Sequence, residues 1–337
     1  MIKIKITPME KKIYKFYNYS KSGNYIVAAA IGNKSIKEWK SYAYKTWISY
    51  CKNNDIGLLV FKNYIIKKKD PFWKIATWQK NLFPEYILNN IKNIKIKNIC
   101  LLDLDILINP FSPNIFKNHD KDKISLVSQL KNLPYDNTDN IIRRKIAFLR
   151  NFYYDKKYPL DSSITMSNKE TFKFHGFKDP GNYFCVGVML FNVKKFAKFF
   201  SKMYFDCKPG AKSITGGNEP HVNYEIQKKC KINWLDYKFQ ALWNFEVIEK
   251  YPFLYHFKKK KNEIVKKCVE ASLMNTYFLH FAGSWHDSDH WKIKNIFFND
   301  KFLKMYKKLI EYQKRKLKNK AHKLRIIPKG LSKVQKI

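Results

Sequence analysis

Apolar runs and helical spacings alternate along the first third of the chain. Residues 25–31 (YIVAAAI) form a short continuous apolar run, which is typical of a strand buried on both faces of a parallel sheet. Apolar side chains then recur every three or four positions from residue 35 to about residue 51, which predicts a helix with Ser35 at its N-cap. A second apolar run follows at residues 56–61. A strand, a helix and a strand in this order predict a βαβ unit of the Rossmann type.

The same alternation continues to about residue 281. The pattern predicts helices at 71–90, 136–158, 193–205 and 220–229, strands at 124–129, 183–193, 232–237 and 277–281, a connector at 91–98 and a loop at 208–218. The helix at 136–158 is polar and basic, which is typical of an excursion that lines a substrate cleft. We therefore expect an α/β fold with a central, mostly parallel sheet flanked by helices.

Charge separates three regions of the chain. A basic, aromatic segment covers residues 1–23, the predicted α/β domain covers 24–295, and a basic helical tail with an apolar stripe covers 296–337. The whole sequence has 66 lysines and arginines against 27 acids, a formal charge of +39, yet only five of the basic residues are arginine. Because sequence-specific readers rely on arginine forks and no nucleic-acid motif is present, we expect no nucleic-acid partner.

Cysteine usage and hydropathy indicate the compartment. The six cysteines are widely spaced, without a C-x-x-C pair, so reduced thiols are expected. Neither a signal-peptide-like stretch nor a run of 18 apolar residues occurs, so a soluble, cytoplasmic protein is predicted. The C-terminal stripe has two interpretations: packing on the domain, or docking on an anionic membrane surface.

Two acids interrupt the apolar segment ICLLDLDILI. Asp103 and Asp105 follow one predicted strand directly, and in open α/β sheets ligands bind beyond the carboxyl ends of the strands. Carboxylates in such an apolar setting need a counter-ion, and a divalent cation that carries a diphosphate meets that need. The alternative is that one acid caps a turn while the other is solvated.

This D-x-D segment resembles that of GT-A glycosyltransferases, and four further segments resemble the retaining, glycogenin-like family 8, which also contains lipopolysaccharide galactosyltransferases. In chain order they are WKIATW (73–78), YFCVGVMLFN (183–192), GGNEPHVN (216–223) and LHFAG (279–283). The resemblance spans roughly residues 24–291. It implies a GT-A, Rossmann-like fold and a nucleotide-sugar donor, with UDP as the expected nucleotide.

The resemblance also implies roles for individual residues. Asp103, Asp105 and His280 would bind a divalent cation, and an imidazole beside two carboxylates suits Mn²⁺ better than Mg²⁺. Without the resemblance, His280 reads as a half-buried strand histidine. Contacts to the donor are implied for a further set of residues: Lys74, Gly187, Asn244 and Gly283.

The chain departs from the family pattern at two places. Cys185 stands where the family has Asn, and His286 replaces a lysine expected three residues after Gly283. The diphosphate would then be neutralised by another base, for which His286, His290 and Lys292 are the candidates.

Glu219 is the candidate catalytic residue. NEPHVN (218–223) also resembles the D-E-S-H-L-N segment of blood-group-type retaining galactosyltransferases, in which the glutamate is a candidate nucleophile. A carboxylate there can stabilise or attack an oxocarbenium-like centre. The alternative is a helix-terminal acid favoured by the helix dipole. His221 is expected to contact the sugar or the acceptor.

We therefore expect a glycosyltransferase that transfers a sugar with retention of configuration to a glycan, glycolipid or glycoprotein acceptor. We also expect membrane-peripheral contact through the basic tail. Three alternatives stay open: an inverting transferase of the same fold, a sugar-phosphate nucleotidyltransferase, and a basic binding protein without catalysis.

Overall fold

The computed structural model describes residues 13–117, 119–153, 166–207, 218–256, 262–283 and 286–296, with four more helical residues in the tail, Lys308, Glu311, Tyr312 and Arg315. The chain divides into two compact units, Met1–Ile293 and Lys294–Ile337, and the fold below is that of the first. The loop predicted at 208–218, except Asn218, and most of the predicted tail helix lie outside the described residues.

The described residues of this unit include ten strands, which form two sheets. They are β1 (Tyr14–Asn18), β2 (Asn24–Ala29), β3 (Gly57–Phe61), β4 (Asn98–Leu102), β5 (Ile106–Ile108), β6 (Ile124–Val127), β7 (Val188–Asn192), β8 (Ile232–Leu235), β9 (Ala241–Leu242) and β10 (Phe278–His280). The larger sheet has the order β1-β3-β2-β4-β7-β6-β8, and the smaller one has the order β5-β10-β9.

Within the described part of the first unit, ten α-helices accompany the strands. They are α1 (Asn33–Tyr42), α2 (Tyr44–Asn53), α3 (Ala76–Gln79), α4 (Phe83–Asn90), α5 (Asp139–Tyr153), α6 (Asn168–Phe174), α7 (Val193–Asp206), α8 (Glu219–Lys229), α9 (Trp243–Lys250) and α10 (Asn262–Asn275). Short 3₁₀ helices cover Lys80–Leu82, Tyr237–Gln240, Pro252–His256 and His286–Trp291. No helix among these described segments is both long enough and apolar enough to cross a bilayer.

The α/β class with a helix-flanked central sheet is confirmed, and the sheet is mixed. Strand β2 pairs in parallel with β3 and β4, as a βαβ unit requires, and β6 pairs in parallel with β8. Strand β7 runs antiparallel to both of its neighbours, and β1 runs antiparallel to β3. An apolar run buried on both faces looks the same in either direction, so the sequence pattern does not specify the direction of β7.

Three predicted boundaries were wrong. The helix expected from residue 35 is two helices that meet at Ala43, and its N-cap is Gly32, at φ 86°, so Ser35 lies inside the first turn. The helix expected at 71–90 begins only at Ala76 and passes through a 3₁₀ turn before α4. The strand expected at 183–193 begins at Val188; before it, Phe184 forms an isolated antiparallel bridge with Ser128, and its amide donates to the side chain of Asn223 in α8.

Candidate metal and donor site

The two acids lie on a tight turn between strands of the two sheets. Strand β4 ends at Leu102, the turn contains Asp103 and Asp105, and β5 begins at the next residue. The amide of Asp103 donates to the carbonyl of Gly187 at 3.0 Å, which ties the turn to the chain just before β7. Both carboxylates stay partly accessible, with 28% of each side chain exposed. The predicted position at the carboxyl end of a strand is therefore what the structure shows.

The small sheet brings His280 to this turn. His280 is the last residue of β10 and pairs with Ile106 of β5, while the amide of the next residue, Phe281, donates to the carbonyl of Asp105 at 2.9 Å. His280 Nε2 lies 3.4 Å from Asp105 Oδ1 and 4.0 Å from Asp103 Oδ2. One ligand atom from each of the three residues lies within 4.8 Å of the others. Two carboxylate oxygens and an imidazole nitrogen are a donor set that fits Mn²⁺.

Gly187 makes room for the histidine ring. A Cβ at this position would lie 2.3 Å from His280 Cε1 and 2.9 Å from Nδ1, distances that real atoms do not reach. Only glycine lets the imidazole, which is 2% exposed, lie against the backbone here. The structure thus places Gly187, which the resemblance assigned to the donor, behind the histidine.

The far side of the ring contacts two polar side chains. His280 Nδ1 lies 3.1 Å from Gln240 Nε2 and 3.6 Å from Cys185 Sγ. Burial raises the pKa of the Cys185 thiol to about 11, so the sulfur is a neutral thiol near neutral pH. Burial alone would lower the pKa of His280, but its interactions with the Cys185 thiol and the Asp105 carboxylate raise it well above its usual value.

Cys185 also connects the histidine to Glu219. Its side chain lies against the Glu219 carboxylate, as does that of Tyr183. Glu219 is the first residue of α8, is partly exposed, and accepts a hydrogen bond from the amide of Val186 at 3.4 Å. Burial raises the pKa of Glu219 and the guanidinium of Arg143 lowers it. Arg143 lies in α5, within the helix expected at 136–158, and its charge acts on Glu219 while its guanidinium pairs with Asp139 and Gln129.

An asparagine clamp fixes the segment that carries Cys185 and Gly187. The side-chain amide of Asn223, fully buried in α8, accepts from the amide of Phe184 at 2.9 Å and donates to its carbonyl at 2.7 Å. Asn218, directly before α8, donates to the carbonyl of Thr77 at 3.0 Å. The GGNEPHVN motif thus anchors the start of α8 on two sides, to the strand segment and to α3.

Lys80 supplies the basic group that sequence reasoning missed. Its ammonium lies 2.5 Å from Asp103 Oδ1, and only 4% of its side chain is exposed. Lys74, the residue proposed from the motif, lies elsewhere: its ammonium donates to the carbonyls of Tyr204 and Cys207 at the end of α7. Burial lowers the pKa of Lys74. Lysines are too frequent in this chain for Lys80 to stand out, and only its place one residue after a short helix separates it from the others.

A cavity of about 280 Å³ adjoins the acids. It lies beyond the carboxyl ends of β2 and β4, and it is lined by residues from these strands, from α1, α3 and the turn, and by one aromatic ring: Ala29, Ser35, Glu38, Ala76, Thr77, Lys80, Asp103, Leu104, Asp105 and Trp291. Neighbouring parallel strands end together at this edge, so the position is the one expected for a ligand in an open α/β sheet.

The remaining candidates lie apart from this cavity. Asn244 stands in the first turn of α9 and accepts from the amide of Phe245 at 3.1 Å, the turn-type hydrogen bond that was its alternative interpretation. Gly283 is exposed and adopts φ 106°, a left-handed conformation that favours glycine. His221 packs against Trp78 and Phe177, and burial lowers its pKa.

The three alternative bases are not brought to the acids in the described part of the chain. His290 accepts from the indole of Trp243 at 3.1 Å. Lys292 lies 3.0 Å from Asp289 and 3.5 Å from Glu38. The side chain of His286 lies outside the described residues.

No protein-family model and no curated protein matches the sequence. Similar solved structures include a glycosyltransferase involved in the glycosylation of the major capsid of PBCV-1, with a TM-score of 0.44, 9% identity, and coverage of 80% of this chain and 98% of that one. The galactosyltransferase LgtC, in complex with donor and acceptor sugar analogues, gives a TM-score of 0.41 and 12% identity over 84% and 95% of the two chains. The glycosyltransferase GlyE of Streptococcus pneumoniae has a TM-score of 0.43 and 11% sequence identity, with coverage of 86% of this chain and 64% of that one.

Proposed function

We propose that the protein is a metal-dependent GT-A glycosyltransferase that moves a hexose from UDP to an acceptor hydroxyl with retention of configuration. One observation carries the proposal: Asp103, Asp105 and His280 converge beside a cavity at the carboxyl edge of the sheet. A solvated turn acid would need neither a buried histidine nor a glycine that admits its ring. The donor set is a fit for a divalent cation, and the cavity lies where a nucleotide diphosphate would reach it.

The acids and the histidine would hold the diphosphate end of the donor through the cation, with Mn²⁺ favoured over Mg²⁺. When bound, the cation supplies Lewis-acid stabilisation to the departing diphosphate. Lys80 is paired with Asp103 and lines the cavity, so its ammonium is available to a phosphate oxygen of the donor. Trp291 offers a ring for stacking in the cavity, in keeping with a planar base.

Glu219 would act on the sugar carbon. In the transfer, the bond between C1 and the diphosphate oxygen breaks and its electron pair leaves with UDP. The acceptor oxygen then bonds to C1 and its proton is released. A carboxylate can attack C1 and then be displaced by the acceptor, and these two displacements retain configuration. It can instead stabilise the positive charge that develops on C1, and that route retains configuration when the acceptor enters from the face that UDP leaves. Burial is the largest influence and raises the pKa of Glu219 overall, whereas Arg143 and the amide of Val186 favour the ionised form that this role requires.

The acceptor class and the location are proposals from the sequence alone. The acceptor is a hydroxyl of a glycan, glycolipid or glycoprotein, and the composition and charge favour a cytoplasmic location with membrane-peripheral contact through the basic tail.

The test is a donor screen with product analysis. Purified protein is incubated with Mn²⁺ and a panel of nucleotide sugars, and free nucleotide, free hexose and pyrophosphate are measured. We expect UDP and hexose from one UDP-sugar, loss of turnover with chelator or with Asp105→Asn, and NMR of the glycoside formed with a responding acceptor showing the donor's anomeric configuration. An inverted product would assign the inverting alternative, pyrophosphate would assign a nucleotidyltransferase, and the absence of turnover and of nucleotide binding would leave a binding protein.

A further inference from the structure

The inner nitrogen of His280 is enclosed by the protein. Gln240, the last residue of the 3₁₀ helix Tyr237–Gln240, is 2% exposed, and its side-chain amide lies 3.1 Å from Nδ1. Cys185 is the other polar neighbour of Nδ1 among the described residues, at 3.6 Å. Gln240 also packs against Gly187, where an added Cβ would lie 3.0 Å from its Nε2. The amide, the glycine and the ring therefore form one packed group.

A histidine that binds a cation through Nε2 carries its proton on Nδ1, and that proton needs an acceptor. Cys185 offers only sulfur, a weak acceptor, at the longer distance. The Gln240 carbonyl oxygen is a stronger acceptor, and it has no hydrogen-bond partner among the described residues. A half-turn of the amide exchanges Oε1 and Nε2, so Oε1 can meet Nδ1–H without breaking a hydrogen bond made by the carbonyl.

We infer that Gln240 is a positioning residue for the metal site: its amide accepts the Nδ1 proton of His280 and directs the Nε2 lone pair between Asp103 and Asp105. The inference rests on the proposed function, because it requires a cation at these three residues.

Two variants separate hydrogen bonding from packing. Gln240→Met keeps the length of the side chain and removes its acceptor, whereas Gln240→Glu keeps an acceptor of the same shape. Loss of an outer partner of a metal-bound histidine weakens metal binding by about 10-fold to 100-fold. We therefore expect Gln240→Met to weaken Mn²⁺ by that factor and Gln240→Glu to stay within about threefold of the parent protein. Gln227→Met on α8, which removes an amide that donates to the carbonyl of Asn182, is the matched control.

The experiment measures Mn²⁺ affinity by electron paramagnetic resonance of free Mn²⁺, without nucleotide, on the full-length chain. Nitrogen NMR of the His280 ring, assigned with His280→Asn and recorded with diamagnetic Mg²⁺, reports the proton position independently of turnover. The inference predicts a protonated Nδ1 in the metal-bound parent protein and loss of this state in Gln240→Met. Equal Mn²⁺ affinity in the parent protein and Gln240→Met would overturn it, as would equal weakening by both Gln240 variants. If the parent protein binds no Mn²⁺, both the inference and the proposed metal site are wrong. If it binds Mn²⁺ and the Gln240 substitutions leave the affinity unchanged, only the inference about Gln240 is wrong.

Discussion

The imidazole of His280 lies against the backbone of Gly187, so close that a Cβ there would be 2.3 Å from Cε1. Gly187 precedes β7 and His280 ends β10, almost a hundred residues later in the sequence. The two segments pack together at this contact because glycine has no side chain. This contact sets the position of Nε2 relative to the two carboxylates. The resemblance assigned Gly187 to the donor, but in the structure Gly187 is required behind the ring of His280.

Gly187→Ala is expected to displace His280 and weaken Mn²⁺ binding at least tenfold. Overpacking of this kind costs about 1–3 kcal/mol of unfolding free energy, because the ring or the backbone must move. Denaturant unfolding and Mn²⁺ titration measure the two effects. The change should have little further effect on Mn²⁺ binding in a His280→Ala background, where the ring is gone. An undiminished loss in that background would show that Gly187 acts through something other than the histidine.

Lys80→Met is expected to weaken the binding of UDP in the presence of Mn²⁺ by about 10-fold to 100-fold, since hydrogen bonds to charged groups contribute about 1.5–3 kcal/mol. Isothermal titration calorimetry measures the affinity. Lys74→Met is the matched control, because its ammonium bonds to the end of α7. We expect the control to lower stability and leave the affinity for UDP nearly unchanged; the opposite ranking of the two variants would restore Lys74 as the donor contact.

The pH profile of turnover reports on Glu219. Burial raises the pKa of this carboxyl and Arg143 lowers it, so removal of the guanidinium moves the pKa further up. If the ionised carboxylate is required, kcat/KM falls as pH drops through that pKa, and Arg143→Met shifts the acid limb to higher pH. Arg144→Met, at the exposed neighbouring position, should leave the limb in place. A limb that does not move in Arg143→Met would contradict the assignment of the limb to Glu219.

Glu246 supports the framework behind the small sheet. This carboxylate is fully buried and accepts hydrogen bonds from Tyr135 at 2.5 Å, Lys250 at 2.7 Å and Ser272 at 2.8 Å. Glu246→Ala leaves the buried hydroxyl of Ser272 and the half-buried hydroxyl of Tyr135 without this acceptor, and we expect a loss of about 3 kcal/mol in unfolding free energy. Chemical denaturation measures the loss, and Glu249→Ala, at a partly exposed carboxylate on the same helix, should cost much less. Equal losses would mean that burial of the network contributes little.

The sequence predicted the site best where a chemically reactive side chain stands in an unusual local pattern. Asp103 and Asp105 stand out because acids rarely interrupt a buried strand, and the structure places both at the predicted sheet edge. His280 was located by a short motif, and its approach to the acids follows from the pairing of β10 with β5, which no local pattern predicts. The position of Glu219 at the first residue of α8 follows from Pro220, since proline favours the first helical turn.

Other parts of the site depend on tertiary contacts alone. Lys80 and Lys74 are alike in local sequence, and only packing against α7 decides which of them faces the acids. Gln240 lies in a 3₁₀ turn between short elements, where no periodicity indicates burial. The direction of β7 depends on the path of the preceding eighty or so residues, so the mixed sheet could not be predicted from apolar runs.

The central claim is that Asp103, Asp105 and His280 form a cation site that serves a nucleotide. Its most direct measurement is the thermal unfolding midpoint with UDP and Mn²⁺ together, with each alone, and with UDP and a chelator. A ligand that binds the native state raises the midpoint by mass action. We expect UDP to raise the midpoint only when Mn²⁺ is present, beyond any rise with Mn²⁺ alone, and we expect this additional rise to disappear in Asp105→Asn. A rise with UDP that persists in chelator and in Asp105→Asn, or no rise under any condition, would contradict it.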